Sequence, residues 1–390
     1  NIMQKILSAK SEYDLSWVRE YLEYLNSYVS GEPQQHLRYH EVLNPPIRHF
    51  GQVLDTLAYF NGLPSHYGFL SPSIEILAAH LKIYTEETES AAQLHDLFAK
   101  VSAAYNKSNE ICQYYANLPT VADAAKTLSK QIIANIKSNS REPVVLFGGW
   151  AGNSIAVAFI GTTLVFSNLG IGGNPDAGTK IFNITNPDGA NEEMVDTFIR
   201  GLGNATAPEV ILDLIGNIVE LKPIYTLKQT FNPIDNCIFV NPRAVIQGIL
   251  LVLSAYQKDG KANTANLGGL ASSVSDMYNS YVNSLYQYSA ADLAKFMRNH
   301  ELLQNRRVEC CALALDYINQ HYKEPTALKR CIELKNALEF VGLKDFYTSS
   351  IDPAAKAAIQ TLMIHEQEAT AVKVIEQENA LAAKATKKSG

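Results

Sequence analysis

No histidine occurs between His95 and His300, so the long middle stretch of the chain lacks the one side chain whose ordinary pKa sits near neutrality. Basic residues are not in excess either. Thirty-three Lys and Arg stand against 39 Asp and Glu, for a net charge of −6, which excludes a phosphate-tracking surface and with it a nucleic-acid partner. No apolar run reaches the ~18–20 residues that a spanning helix needs. The longest, Val245–Leu253, is half that length, so no transmembrane segment is expected. After Asn1-Ile2-Met3-Gln4-Lys5 no continuous apolar stretch follows, and no signal peptide is predicted. The five cysteines (Cys112, Cys237, Cys310, Cys311, Cys331) include no CxxC pair. They read as free thiols of a reducing, cytoplasm-like compartment rather than a zinc site or a disulfide framework. No internal repeat appears at solenoid periods.

Cofactor and metal signals are also missing. Gly170-Ile171-Gly172-Gly173 lacks the spacing of a dinucleotide loop and reads as a hairpin loop. Pro45-Pro46 separates His40-Glu41 from His49, so those residues cannot share a helical face as metal ligands would. Neither cofactor nor metal is expected.

What is present is a composition 47% hydrophobic and 18% charged over 390 residues, enough to build two or three cores. Residues 1–140 read as a helical N-terminal domain. Val18, Leu22, Leu25 and Val29 share one helical face, and Val121, Ala125, Leu128, Ile132 and Ile136 share another behind the capping-box spacing Thr120/Asp123. From Arg141 the pattern turns to strands. Val144–Phe147 ends in Gly148-Gly149, a hairpin of Ile155–Ile160 and Thr162–Phe166 turns at Gly161, and Lys180–Thr185 and Ile224–Leu227 follow around a helix at Asn191–Arg200. Residues 141–262 thus form a central α/β domain. A break at Gly268-Gly269 opens a helical C-terminal region, 263–390, with Val308, Cys311, Leu315 and Ile318 on one face, Pro325 ending that helix, and Asp352-Pro353 opening another. Tyr278, Tyr281, Tyr286 and Tyr288 read as helix packing. The predicted fold class is α+β: predominantly helical, with a small, mostly antiparallel central sheet.

The stretch that bears chemistry is Gln229-Thr230-Phe231-Asn232-Pro233-Ile234-Asp235-Asn236-Cys237-Ile238-Phe239, between a strand and an apolar helix. A cysteine entering a helix N-terminus gains thiolate character from free N–H groups and the helix dipole. A glutamine shortly before it can present its amide to the oxyanion formed when the thiolate attacks a carbonyl. A buried, inert apolar cysteine is the plainer alternative.

Gln, a polar turn, then Asp-Asn-Cys-Ile-Phe running into an apolar helix resembles the nucleophile motif of clan CE (papain-like) cysteine proteases. That group includes the ubiquitin-like-protein proteases and the acyltransferase effectors of bacterial pathogens. Its order is His, an acidic residue or Asn, Gln, Cys. Here Gly148-Gly149-Trp150-Ala151-Gly152-Asn153 precedes one strand and Asn168 closes the next, which is similar to effectors of intracellular bacteria in which Gly-Gly-Trp precedes the histidine. The resemblance spans about residues 120–260. It implies Cys237 as nucleophile, Gln229 as oxyanion donor and Asn168 as orienter, in a cysteine hydrolase or acyltransferase attacking an amide or thioester carbonyl. It also implies secretion by a bacterium into the host cytosol, with a host protein as substrate or binding partner. Glu366, Glu368, Glu376 and Glu378 resemble the acidic tails of type IV secretion substrates, and equally a solvated helix face.

The sequence departs from that pattern at Asn153, where histidine is expected. An amide cannot accept a proton near neutral pH. Gln229 precedes Cys237 by eight residues, and Pro242 behind Asn241 predicts a helix that starts late. Three arrangements follow, in this order: a degenerate protease fold used for binding, a histidine such as His40 or His49 reaching in, or an asparagine substituted for a natural histidine at 153. The competing class is a non-catalytic scaffold whose helical wings bind a host or bacterial partner.

Overall fold

The computed structural model describes residues 70–116, 122–150, 153–169, 178–201, 206–229, 237–298, 314–340 apart from 316, and 351–364. Their elements are, in chain order, α1 (Leu70–Glu87), α2 (Ala92–Ala116), α3 (Ala122–Lys137), β1 (Val144–Trp150), β2 (Asn153–Ile160), β3 (Thr163–Asn168), β4 (Gly178–Asn183), α4 (Glu192–Arg200), α5 (Pro208–Gly216), β5 (Tyr225–Lys228), α6 (Cys237–Asp259), α7 (Thr264–Met297) and α8 (Pro325–Phe340). The architecture is α+β, mostly helical, around one antiparallel sheet ordered β1-β2-β3-β4-β5. The chain divides into two compact units, Gln34–Tyr288 and Asn1–Pro33 with Ser289–Gly390. The boundaries expected near 140 and 262 both fall inside the first of these.

The sheet lies within Gln34–Tyr288. β1 and β2 are buried along their whole length, which explains why they read as continuous apolar runs rather than as an alternating pattern. One face carries Val144, Leu146, Ile155, Val157, Phe159 and Leu164, which pack against α3, α4 and α5 through Ile132, Ile136, Met194, Val195, Phe198, Ile211 and Ile215. Asn191 caps α4 by accepting from the Met194 N–H, and Glu192 and Glu193 occupy its first turn. α6 covers the other face. A Cβ at Gly248 would lie 2.4 Å from Val165 Cγ1 and 2.8 Å from Thr179 Cγ2, so glycine there lets α6 sit directly on β3 and β4. The β2–β3 turn needs glycine for two reasons. Gly161 has φ +56°, and a side chain would strike the Tyr256 hydroxyl, which itself receives the Thr162 N–H at 3.0 Å.

Several expectations are corrected here. α7 runs through Gly268-Gly269; the break lies instead at Gly260, whose φ of +68° ends α6. β1 continues through Gly148-Gly149 to Trp150. Pro325 opens α8 rather than merely ending the helix before it, because a first-turn proline lacks only an N–H that had no helical partner. α6 begins at Cys237 with Pro242 inside it, not late. The helix tolerates that proline near its start, and the Pro242 carbonyl accepts the Tyr105 hydroxyl. α5, which the sequence reading missed, is a nine-residue helix with Pro208 in its first turn and Ile211 and Ile215 buried.

In the unit that includes Ser289–Gly390, Leu315, Tyr317 and Ile318 are buried ahead of α8, and α8 buries Cys331, Leu334 and Leu338. Asp352 caps the helix over 353–364, accepting from the Ala354 N–H at 2.8 Å. The helix face at Val18–Val29, the residues Val308 and Cys311, His40, His49, Gly170–Gly173, Cys310 and the glutamates from Glu366 onward lie outside the described residues.

Candidate functional site

The site forms where β2 starts and β3 ends. The β1–β2 register closes on Trp150 opposite Asn153, and the β2–β3 register brings Ser167 opposite Ala156. Asn153 and Asn168 therefore sit on the same sheet face at the same end, and they meet: the Asn153 amide Nδ2 donates to Asn168 Oδ1 at 3.0 Å. Asn153 is 3% exposed, and its Oδ1 has no hydrogen-bond partner among the described residues. This pairs the two positions that the family resemblance put in relation. Alternation along β2 places Asn153 on the face of Ile155 and Val157, with Ser154 on the α6 side.

Asn241, fully buried on α6, ties that helix to both strand ends. Its Oδ1 accepts the Leu169 N–H at 2.7 Å, and its Nδ2 donates to the Ser154 carbonyl. Asn241 is thus a clamp inside the helix. Farther along, Gly248 meets Val165 and Thr179, and Tyr256 meets Thr162 at the opposite end of the hairpin. α6 therefore runs parallel to β2. Cys237, four residues before Asn241, starts the helix about 6 Å beyond the strand ends, at 1.5 Å of rise per residue.

Gln229 is engaged elsewhere. Its Oε1 accepts the Thr179 hydroxyl at 2.7 Å, and its Nε2 donates to the Ala244 carbonyl at 3.2 Å and to Gln247 Oε1 at 2.8 Å. Both amide protons are committed. The chain of bonds extends from Gln247 Nε2 to Ser275 Oγ at 2.9 Å and from Thr179 to Ser167 at 3.2 Å. Ala244 lies seven residues past Cys237, about 10 Å along the helix. Thr179 and Gln247 had no signal in the sequence beyond being polar residues in apolar surroundings, and Asn241 only its place before Pro242.

None of the hydrogen bonds of the described histidines is to Asn153, Asn168, Gln229 or Asn241. His80 contacts Ser284, His95 contacts the Thr85 carbonyl, and His321 contacts Glu324. Among the described residues there is no group of His, Cys, Asp and Glu arranged to hold a metal, and no helix long and apolar enough to cross a membrane. Chemically, the strand ends offer neutral amides, which donate and accept hydrogen bonds but take up no proton near pH 7.

The family model of the Dot/Icm T4SS effector AnkD/LegA15 matches residues 10–335. No curated protein matches the chain. Among solved structures it is similar to the Legionella effector AnkH, with a TM-score of 0.56 and 13% identity, over 84% of this chain and 69% of that one. At that identity the likeness concerns the fold.

Proposed function

The chain belongs to the Dot/Icm type IV secretion effector family AnkD/LegA15, and from that premise we propose that its sheet domain is a degenerate cysteine-protease-like core that holds a host protein without hydrolysing it. As a Dot/Icm effector the protein is secreted by a bacterium into the host cytosol and acts there on the host. The observation that carries the finer reading is the Asn153–Asn168 bond across two strand ends, with α6 and Cys237 beginning about one turn beyond them. Histidine at 153 would stand where Asn168 could orient it. Asparagine keeps the hydrogen bond and removes the base. The commitment of both Gln229 amide protons to Ala244 and Gln247 favours binding over turnover, because no free donor remains on that side chain for an oxyanion.

Two proteins test this reading, the natural chain and Asn153→His, each labelled with iodoacetamide across pH 5–9 and read at Cys237 by mass spectrometry. The natural protein is expected to show the profile of an ordinary thiol, ionising near pH 8.5. Asn153→His is expected to label up to ~30-fold faster at pH 7, the gain available when a thiol ~3% ionised becomes fully ionised. Fast, acid-persistent labelling of the natural protein would make it an active enzyme. Identical profiles in the two folded proteins would remove position 153 from any role as the base.

A further inference from the structure

His80, on α1, is enclosed by aromatic rings from its own helix and from α7. Its ring centroid lies 6.3 Å from that of Tyr84, 5.1 Å from Tyr281 and 5.2 Å from Tyr288. Tyr84 packs in turn on Phe98 of α2 at 4.8 Å. Polar bonds cross between α1 and α7 in the same place. His80 Nε2 meets Ser284 Oγ at 3.2 Å, the Tyr84 hydroxyl donates to Ser280 Oγ at 3.1 Å, and the Tyr288 hydroxyl donates to Glu87.

The imidazole is 4% exposed, and its Nδ1 has no hydrogen-bond partner among the described residues. With Nε2 engaged by Ser284, a cationic ring would carry one N–H with no acceptor facing it. The groups around it do not compensate. Glu87 already accepts from Tyr288, Tyr84 donates to Ser280, Tyr281 is fully buried, and Arg243 of α6 acts on Tyr281 with a positive charge. The contact between α1 and α7 is thus complete only while His80 is neutral.

We propose that the His80 cluster is an acid-released latch, closed at the near-neutral pH of a cytosol and loosening α1 from α7 when the surroundings acidify. Burial holds the imidazole pKa at about 3, against an ordinary 6.5. The freed ring binds a proton below pH 6.5 and the enclosed one does not until about pH 3, so the open form binds more protons throughout that window. Closure is therefore fully supported above pH 6.5 and weakens as pH falls toward 3, with the opening constant rising about tenfold per pH unit.

Hydrogen exchange of the full chain, read by mass spectrometry on peptides from α1, α7 and β2–β3 and corrected for intrinsic rates, measures this directly. Relative to pH 7.5, opening of α1 is expected to rise about tenfold at pH 5.5 and about a hundredfold at pH 4.5, with β2–β3 unchanged. His80→Gln and His80→Phe are expected to abolish that acid response. An equal acid response in either folded variant, or sheet amides opening in step with α1, would overturn the latch. Should both variants fail to fold, the imidazole signal of the natural protein decides the matter. Titration near pH 6.5 with α1 still protected overturns the proposal, and titration only together with α1 opening upholds it.

Discussion

Replacing Asn241 by leucine removes a side chain that bonds α6 to both strand ends while keeping nearly the same volume. Two buried groups lose their bond to Asn241: the Leu169 N–H, held at 2.7 Å, and the Ser154 carbonyl. Leu169 is 3% exposed and Ser154 and Asn241 are fully buried, so water does not replace the lost bonds without opening the packing. An unsatisfied buried polar group costs about 1–3 kcal/mol, giving roughly 2–6 kcal/mol for the two. The buried leucine side chain returns about 1–2 kcal/mol of that through its apolar surface. A net loss of about 1–4 kcal/mol is expected, and at roughly 2–4 °C per kcal/mol for a unit of this size the melting temperature falls by roughly 2–16 °C. Urea denaturation followed by Trp fluorescence and far-ultraviolet circular dichroism measures it. Asn241→Asp sharpens the test, because a carboxylate still accepts from Leu169 but faces the Ser154 carbonyl without a proton to donate. That variant should be the less stable at neutral pH and should recover stability, relative to the natural protein, as acid protonates the carboxyl. A loss below about 1 kcal/mol for Asn241→Leu would mean that the clamp does not hold α6 to the sheet.

Gly248→Ala should destabilise the protein by about 1–3 kcal/mol through overpacking against Val165 and Thr179, although alanine is the better helix former; equilibrium unfolding gives the sign. Burial pushes the Cys331 thiol up to about 12, so at pH 8 its labelling should be slow in the folded chain and should accelerate with denaturant in step with unfolding, as quantified by mass spectrometry. Labelling of Cys331 at the rate of a small-molecule thiol in native buffer would contradict its burial.

The legible parts of the fold were those set by neighbours in sequence. β1, β2 and β3 announced themselves as β-branched and aromatic runs and Asp352 as a cap, while Asn153 and Asn168 were related by the family resemblance and brought together by a hairpin, which fixes its own register. The glycine pair at 268 and 269 misled, since a long helix carries two glycines when its flanking turns hold, whereas Gly260 ended α6 by adopting a left-handed conformation. Pro242 misled for a similar reason, near enough to the helix start to be accommodated.

Composition and pattern by themselves determined the α+β class, the paucity of basic charge, and the absence of a histidine from the sheet segment. The tertiary structure alone decided what the amides do. Gln229 bonds to residues 15 and 18 positions away on α6, and Asn241 to residues 72 and 87 positions away. A primary amide both donates and accepts, so its local sequence leaves its partner open. Only the packing of α6 along β2 supplied the partners of each.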